Sequence, residues 1–145
     1  MEHENRNLLT SAILLGLGAG GAIDGILFHQ LLQWHHMLDH DHVGLAIFTD
    51  GLFTILFSAL LLWGGVNIFR HAQRGELGTS LRTFTSGILM GAGAFNLIEG
   101  IIDHHILQLH RVRPASENPL LYDIAFLLIG LILFLIGWAL HPKEE

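Results

Sequence analysis

Residues 10–36, TSAILLGLGAGGAIDGILFHQLLQWHH, return without a gap at 85–111, TSGILMGAGAFNLIEGIIDHHILQLHR, with 14 of the 27 positions identical and Asp24 opposite Glu99. A duplication this dense obliges the chain to fold as two like halves. The copied segment is apolar, yet it keeps an acid and two histidines: Asp24, His29 and His35 in the first copy, Glu99, His104 and His110 in the second.

The copies open two of four apolar stretches, at about 8–32, 45–69, 83–107 and 119–140. Each is long enough to cross a hydrocarbon core of about 30 Å at about 1.5 Å per residue. Only 14% of the residues are charged, whereas a water-soluble domain carries roughly a quarter. The expected fold is an all-α integral membrane protein, a single four-helix transmembrane domain over 1–145. It is made of two helical hairpins, about 8–69 and about 83–140, joined by a polar linker at 70–82. Phe48-Thr49-Asp50 near the start of the second helix corresponds to Leu121-Tyr122-Asp123 near the start of the fourth. Two spans per half preserve direction, so the halves should be parallel repeats about a pseudo-two-fold axis along the membrane normal.

Arg6, Arg70, Arg74, Arg82 and Lys143 fall at one end of such a bundle, and Arg111 and Arg113 at the other. By the positive-inside rule both termini are expected in the cytoplasm, with loops 33–44 and 108–118 outside. The start MEHENRN lacks a basic region and no small-residue cleavage site follows, so the first span should be retained. The absence of cysteine excludes disulfides, thiolate ligands, iron–sulfur clusters and covalent c-type haem. No basic patch is interleaved with aromatics, which excludes nucleic acid as a partner. The lipid bilayer is the expected surrounding, and the sequence leaves a homo-oligomer open.

At about 100° per residue, Asp24, His29 and His35 fall within one arc of about 140° that also holds the packing glycines 18, 21 and 25. Glu99, Asp103, His104 and His110 form the same arc on the third helix, whereas His105 falls outside it. Asp50 and Asp123, at the first turns of the second and fourth helices, lie at the same depth. An acid at the centre of a span costs about 2.5–3.5 kcal/mol, against about 0.3–0.6 gained per aliphatic residue. Asp24 and Glu99 therefore need a proton, a partner or a cation.

Imidazole together with carboxylate suits zinc, iron, manganese or copper(II). The candidate metal ligands are Asp24, His29, His35, Asp50, Glu99, Asp103, His104, His110 and Asp123, holding one ion between the halves or two beside the axis. Asp50 and Asp123 serve equally well as partners that orient histidine, or as first-turn acids favoured by the helix dipole. Gln33 and Gln108 read as packing or capping residues, and HHMLDHDHV at 35–43 as a solvated acidic loop or a metal-capturing lip.

Two further readings use the same residues. One is a haem b electron carrier with His29 and His104 as axial ligands, for which the paired acids serve no purpose. The other is a cation or proton transporter, which lacks a polar ladder in the opposite half of the bundle. If the chain is an enzyme it is a metal-dependent membrane oxidoreductase, but no reaction is written in these spacings.

The segments IDGILFHQLLQWHH, FNLIEGIIDHHILQLHRVR and LYDIAF resemble a family of small bacterial membrane proteins catalogued as a domain of unknown function, family 2243, over almost the whole chain. Some members are joined to a domain resembling the assembly factor that delivers copper to haem–copper oxidases. The resemblance implies a bacterial inner membrane, a copper or respiratory context, and a respiratory or metal-delivery partner. It names no activity.

Overall fold

The computed structural model describes residues 2–38 and 42–142, and among them it contains helices and no strand. Asp39, His40 and Asp41 of the 35–43 stretch, and Lys143 of the charge count, lie outside the described residues. Helix α1 runs over Glu2–Asp24 and continues as a π-helix over Gly25–Leu31; α2 covers Val43–Gln73. Helix α3 covers Leu81–Glu99 and continues as a π-helix over Gly100–Ile106; α4 covers Pro119–Leu140. All four are long and apolar enough to cross a membrane. The first starts about a turn and a half earlier than its apolar stretch, because the polar run Glu2–Asn7 is helical too.

Local chemistry sets several ends. The Ser80 hydroxyl accepts from the Thr83 N–H at 3.1 Å and so caps α3. Pro119 begins α4, where its missing N–H costs nothing. The linker is held to α1 by Asn7 Nδ2 donating to the Glu76 carbonyl at 3.0 Å and Gly78 N–H donating to the Glu4 carbonyl at 3.0 Å.

Glycines determine how the helices meet. A Cβ at Gly16 would collide with the Ile88 carbonyl, and one at Gly91 with the Ile13 carbonyl, so α1 and α3 touch backbone to backbone. These are one contact made twice, since Gly16 matches Gly91 and Ile13 matches Ile88 in the repeat. Gly87 meets Leu9 and Ile13, Gly91 meets Ile13 and Leu17, and Gly20 meets Phe95, so contacts climb both helices together and α1 and α3 run parallel. Gly18 meets the backbone of α2 at Phe57 and Leu61, and Gly93 meets α4 at Gly130 and Phe134, each as an antiparallel hairpin. Among the described residues α2 and α4 do not touch, and each packs on one helix only. The order is α2–α1–α3–α4, with α1 and α3 most enclosed and the outer two presenting most of their surface outward.

The core lies toward the end away from the termini. Phe53, Phe95, Val112 and Phe126 are buried there, with Phe57 and Leu17 packed against them. Phe57 and Phe95 meet edge to face at 4.9 Å, closing the middle of the bundle with aromatic rings.

Candidate metal centre

The site begins where each copy stops being an α-helix. Both change to π-helical hydrogen bonding immediately after the acid, at Asp24 and at Glu99. In a π-helix residues five apart are brought into line, and such turns gather at functional sites. His29, five residues after Asp24, thereby comes back over it, with Nε2 3.1 Å from Asp24 Oδ2. The angular expectation assumed an unbroken α-helix and had these two side chains at opposite edges of the arc. The π-turn is what joins them.

The helices end within a residue of the expected spans, at Leu31 and Ile106, so His35 and His110, which the angular expectation set on the helical arc, are not helical. Gln33 and Gln108 adopt the left-handed conformation, with φ of 48° and 52°. Around them Trp34 N–H donates to the Phe28 carbonyl, and Leu109 N–H to the Asp103 carbonyl, each at 2.9 Å. These bonds reach six residues back, a wider form of the usual helix-ending motif. The identical glutamines thus turn the chain so that the histidine two residues on, His35 or His110, points back over the helix ends. A β-branched residue fits this conformation poorly. Gln33→Val should therefore lower stability by about 1–2 kcal/mol while Gln33→Gly is tolerated, as read from unfolding midpoints in detergent.

Each half orients a histidine of the other. His35 Nδ1–H donates to the Val112 carbonyl at 2.8 Å, and His110 Nδ1–H donates to the Met37 carbonyl at 3.1 Å. Val112 is the repeat counterpart of Met37, as His110 is of His35. The two imidazoles stack between these bonds, 4.6 Å apart and 6° from parallel. Burial, and then the neighbouring His35 and His104, hold the His110 imidazole far below its ordinary value, at about 2. With its proton on Nδ1, His110 turns its acceptor nitrogen Nε2 inward, toward His104.

Asp50 supports the first half. It accepts His29 Nδ1–H at 2.9 Å, His36 Nδ1–H at 2.6 Å and the Met37 N–H at 2.7 Å. That bond fixes the His29 tautomer and aims Nε2 inward, the usual task of a carboxylate behind a metal-binding histidine. Asp123, fully buried, holds the second half through Arg111 Nη1 at 2.8 Å and the Val112 N–H at 3.0 Å. Arg111 occupies the place that His36 has in the first copy. His36 was not among the candidates, although a basic residue at both matching positions was a readable signal.

At the centre, one ligand atom from each of His29, His35, Glu99 and His110 lies within 4.8 Å of all the others. Asp24, His29, His35, Glu99, His104 and His110 are all at most 4% exposed. Neither Glu99 oxygen meets a hydrogen-bond donor among the described residues, and the charged neighbour facing it across the α1–α3 seam is Asp24. His104 Nε2 lies 3.0 Å from His110 Nε2, while its buried Nδ1 has no hydrogen-bond partner among the described residues. Phe53 stacks on His29 at 5.0 Å and Phe126 packs on His104 at 5.4 Å, an aromatic floor beneath the set.

The remaining candidates stand apart. Asp103 is half-buried on the π-helix and outside the four-donor group, and Asp50 and Asp123 lie behind it rather than in it. His105, outside the predicted arc, turns its Nδ1–H back to the Gly100 carbonyl at 2.7 Å.

Neither the curated proteins nor the solved structures offered a match to this chain. A family model does match, over residues 11–144, and it takes in all of the repeat but Thr10 and every residue of the site. The chain belongs to the family described as a predicted membrane protein, DUF2243.

Proposed function

We propose that this chain is an integral membrane metalloprotein that binds a transition metal through His29, His35, Glu99 and His110. The observation that carries this reading is the convergence of four buried ligand atoms, from both halves of the chain, within 4.8 Å of one another. Three of the four are imidazoles whose Nδ1–H donates outward, to Asp50, to the Val112 carbonyl and to the Met37 carbonyl. Each therefore turns Nε2 toward the group. A buried carboxylate and three such nitrogens suit copper(II), zinc or iron. The placement of arginines favours an outward-facing site in a bacterial inner membrane with cytoplasmic termini, and a role in redox chemistry or metal handling.

The haem b alternative has less support. Between His29 and His104 stand His35 and His110, with successive ring centroids 4.5, 4.6 and 4.7 Å apart. A macrocycle held by His29 and His104 would have to displace both. Transport has less support as well, because Phe53, Phe57 and Phe95 fill the bundle between the site and the end that carries the termini.

Elemental analysis of protein purified from cells grown with copper, zinc and iron tests the proposal. Wild type should carry about one or more ions per chain. The double variant His35→Ala, Glu99→Gln should lose at least about nine-tenths of that metal. An empty wild-type site after metal-replete growth sinks the reading.

A further inference from the structure

We infer that the centre holds two metal ions, one for each copy of the repeat, each bound by two histidines and one carboxylate. This rests on the metal reading above and goes beyond it in nuclearity and in the donors used. The first set is Asp24, His29 and His35, and the second is its counterpart in register, Glu99, His104 and His110.

Ligand spacing is the first ground. Two atoms bound side by side to one ion, at bonds of about 2.0–2.1 Å, lie roughly 3 Å apart. Two pairs meet that condition, His29 Nε2 with Asp24 Oδ2 at 3.1 Å and His104 Nε2 with His110 Nε2 at 3.0 Å, the second pair sharing a hydrogen bond in the absence of an ion. They share no residue, and each lies within one copy of the repeat. The first pair is in ion-pair range but off the line of a hydrogen bond, as two atoms that face a common cation would be. Each pair has its third donor nearby: the His35 ring is 4.5 Å from that of His29, and Glu99 Oε1 is 3.9 Å from His110 Nε2. Two histidines with one carboxylate form a recurrent open set for a transition metal.

Charge is the second ground. Asp24, Glu99 and Asp103 have no Lys or Arg partner among the described residues, whereas Asp50 is paired with His36 at 2.6 Å. Asp123 is offset by Arg111 at 2.8 Å. Asp24 and Glu99, one acid for each set, are both buried in an apolar span, where a cation beside each would offset it. Proximity is the third. His35 and His110 stack face to face where the sets meet, which suits ions at the separation of about 3.5–4 Å found in two-metal sites.

The test is copper(II) titration of the full chain in lipid nanodiscs, followed by metal analysis and electron paramagnetic resonance. Wild type should saturate at about two ions per chain and show a spin-coupled pair. His104→Ala should saturate at about one, with an ordinary uncoupled copper(II) spectrum. Saturation of wild type at one ion overturns the inference, as does a second ion that is uncoupled or that His104→Ala retains. Those results leave the metal reading standing, whereas wild type that binds none removes both. The wild-type stoichiometry and coupling decide the matter even if His104→Ala does not fold.

Discussion

Replacing Gly16 by leucine should destabilise the protein by about 3 kcal/mol or more, at the upper end of what overpacking produces. The new Cβ would land on the Ile88 carbonyl, which is backbone and cannot rotate away. The α1–α3 seam would have to open, and that seam holds Asp24 and His29 against Glu99 and His110. Gly65→Leu is the matched control. It lies on α2 with nothing within 4 Å of the added Cβ, and should change stability by no more than about 0.5 kcal/mol. Unfolding midpoints in detergent distinguish the two, and equal stability of both variants would show that the seam is not set by glycine. Metal content should fall with Gly16→Leu and not with Gly65→Leu.

Asp50→Ala should have the next largest effect, and on two measurements. The aspartate receives three donors, from His29, His36 and Met37. Removing it strands the fully enclosed His29 Nδ1–H, and leaving a buried donor unmet costs about 1–3 kcal/mol. It also frees the imidazole to turn or to take the other tautomer. Loss of such a supporting carboxylate lowers metal affinity by roughly 10–100-fold. Competition with a chelator gives the affinity, and a denaturant series gives the stability. The variant that truncates His36 instead should keep most of its metal, because Asp50 would still hold His29. If His36→Ala lost metal as fully as Asp50→Ala, the supporting role would belong to the loop rather than to the acid.

Much of this was legible in the sequence because it depends on periodicity and on repetition. Four apolar runs required four spanning helices, and a glycine matched by a glycine 75 residues later pointed to the seam between halves. The depth of the acids and histidines could be read from their distance along each run. The turn of the backbone could not. Nothing in Gly25-Ile26-Leu27-Phe28 distinguishes a π-turn from an α-turn, so the 100° wheel set His29 well away from Asp24. Gln33 and Gln108 were invisible as turning points for a related reason: glutamine is a good helix former, and its positive φ here is imposed by the surrounding contacts. The bonds to the Val112 and Met37 carbonyls were also beyond reach, since a backbone acceptor leaves no trace in side-chain identity.

That reciprocal pair of bonds has a consequence for biogenesis. A chain that enters the membrane from its N-terminus presents the first hairpin alone, with Asp24, His29 and His35 on it but without the Val112 carbonyl that orients His35. The second hairpin in turn cannot aim His110 until Met37 is beside it. Neither half can assemble a finished set of ligands before the other arrives. On the proposed metal reading, capture would be confined to the completed protein, and the nascent chain would pass through insertion without holding an ion in half a site.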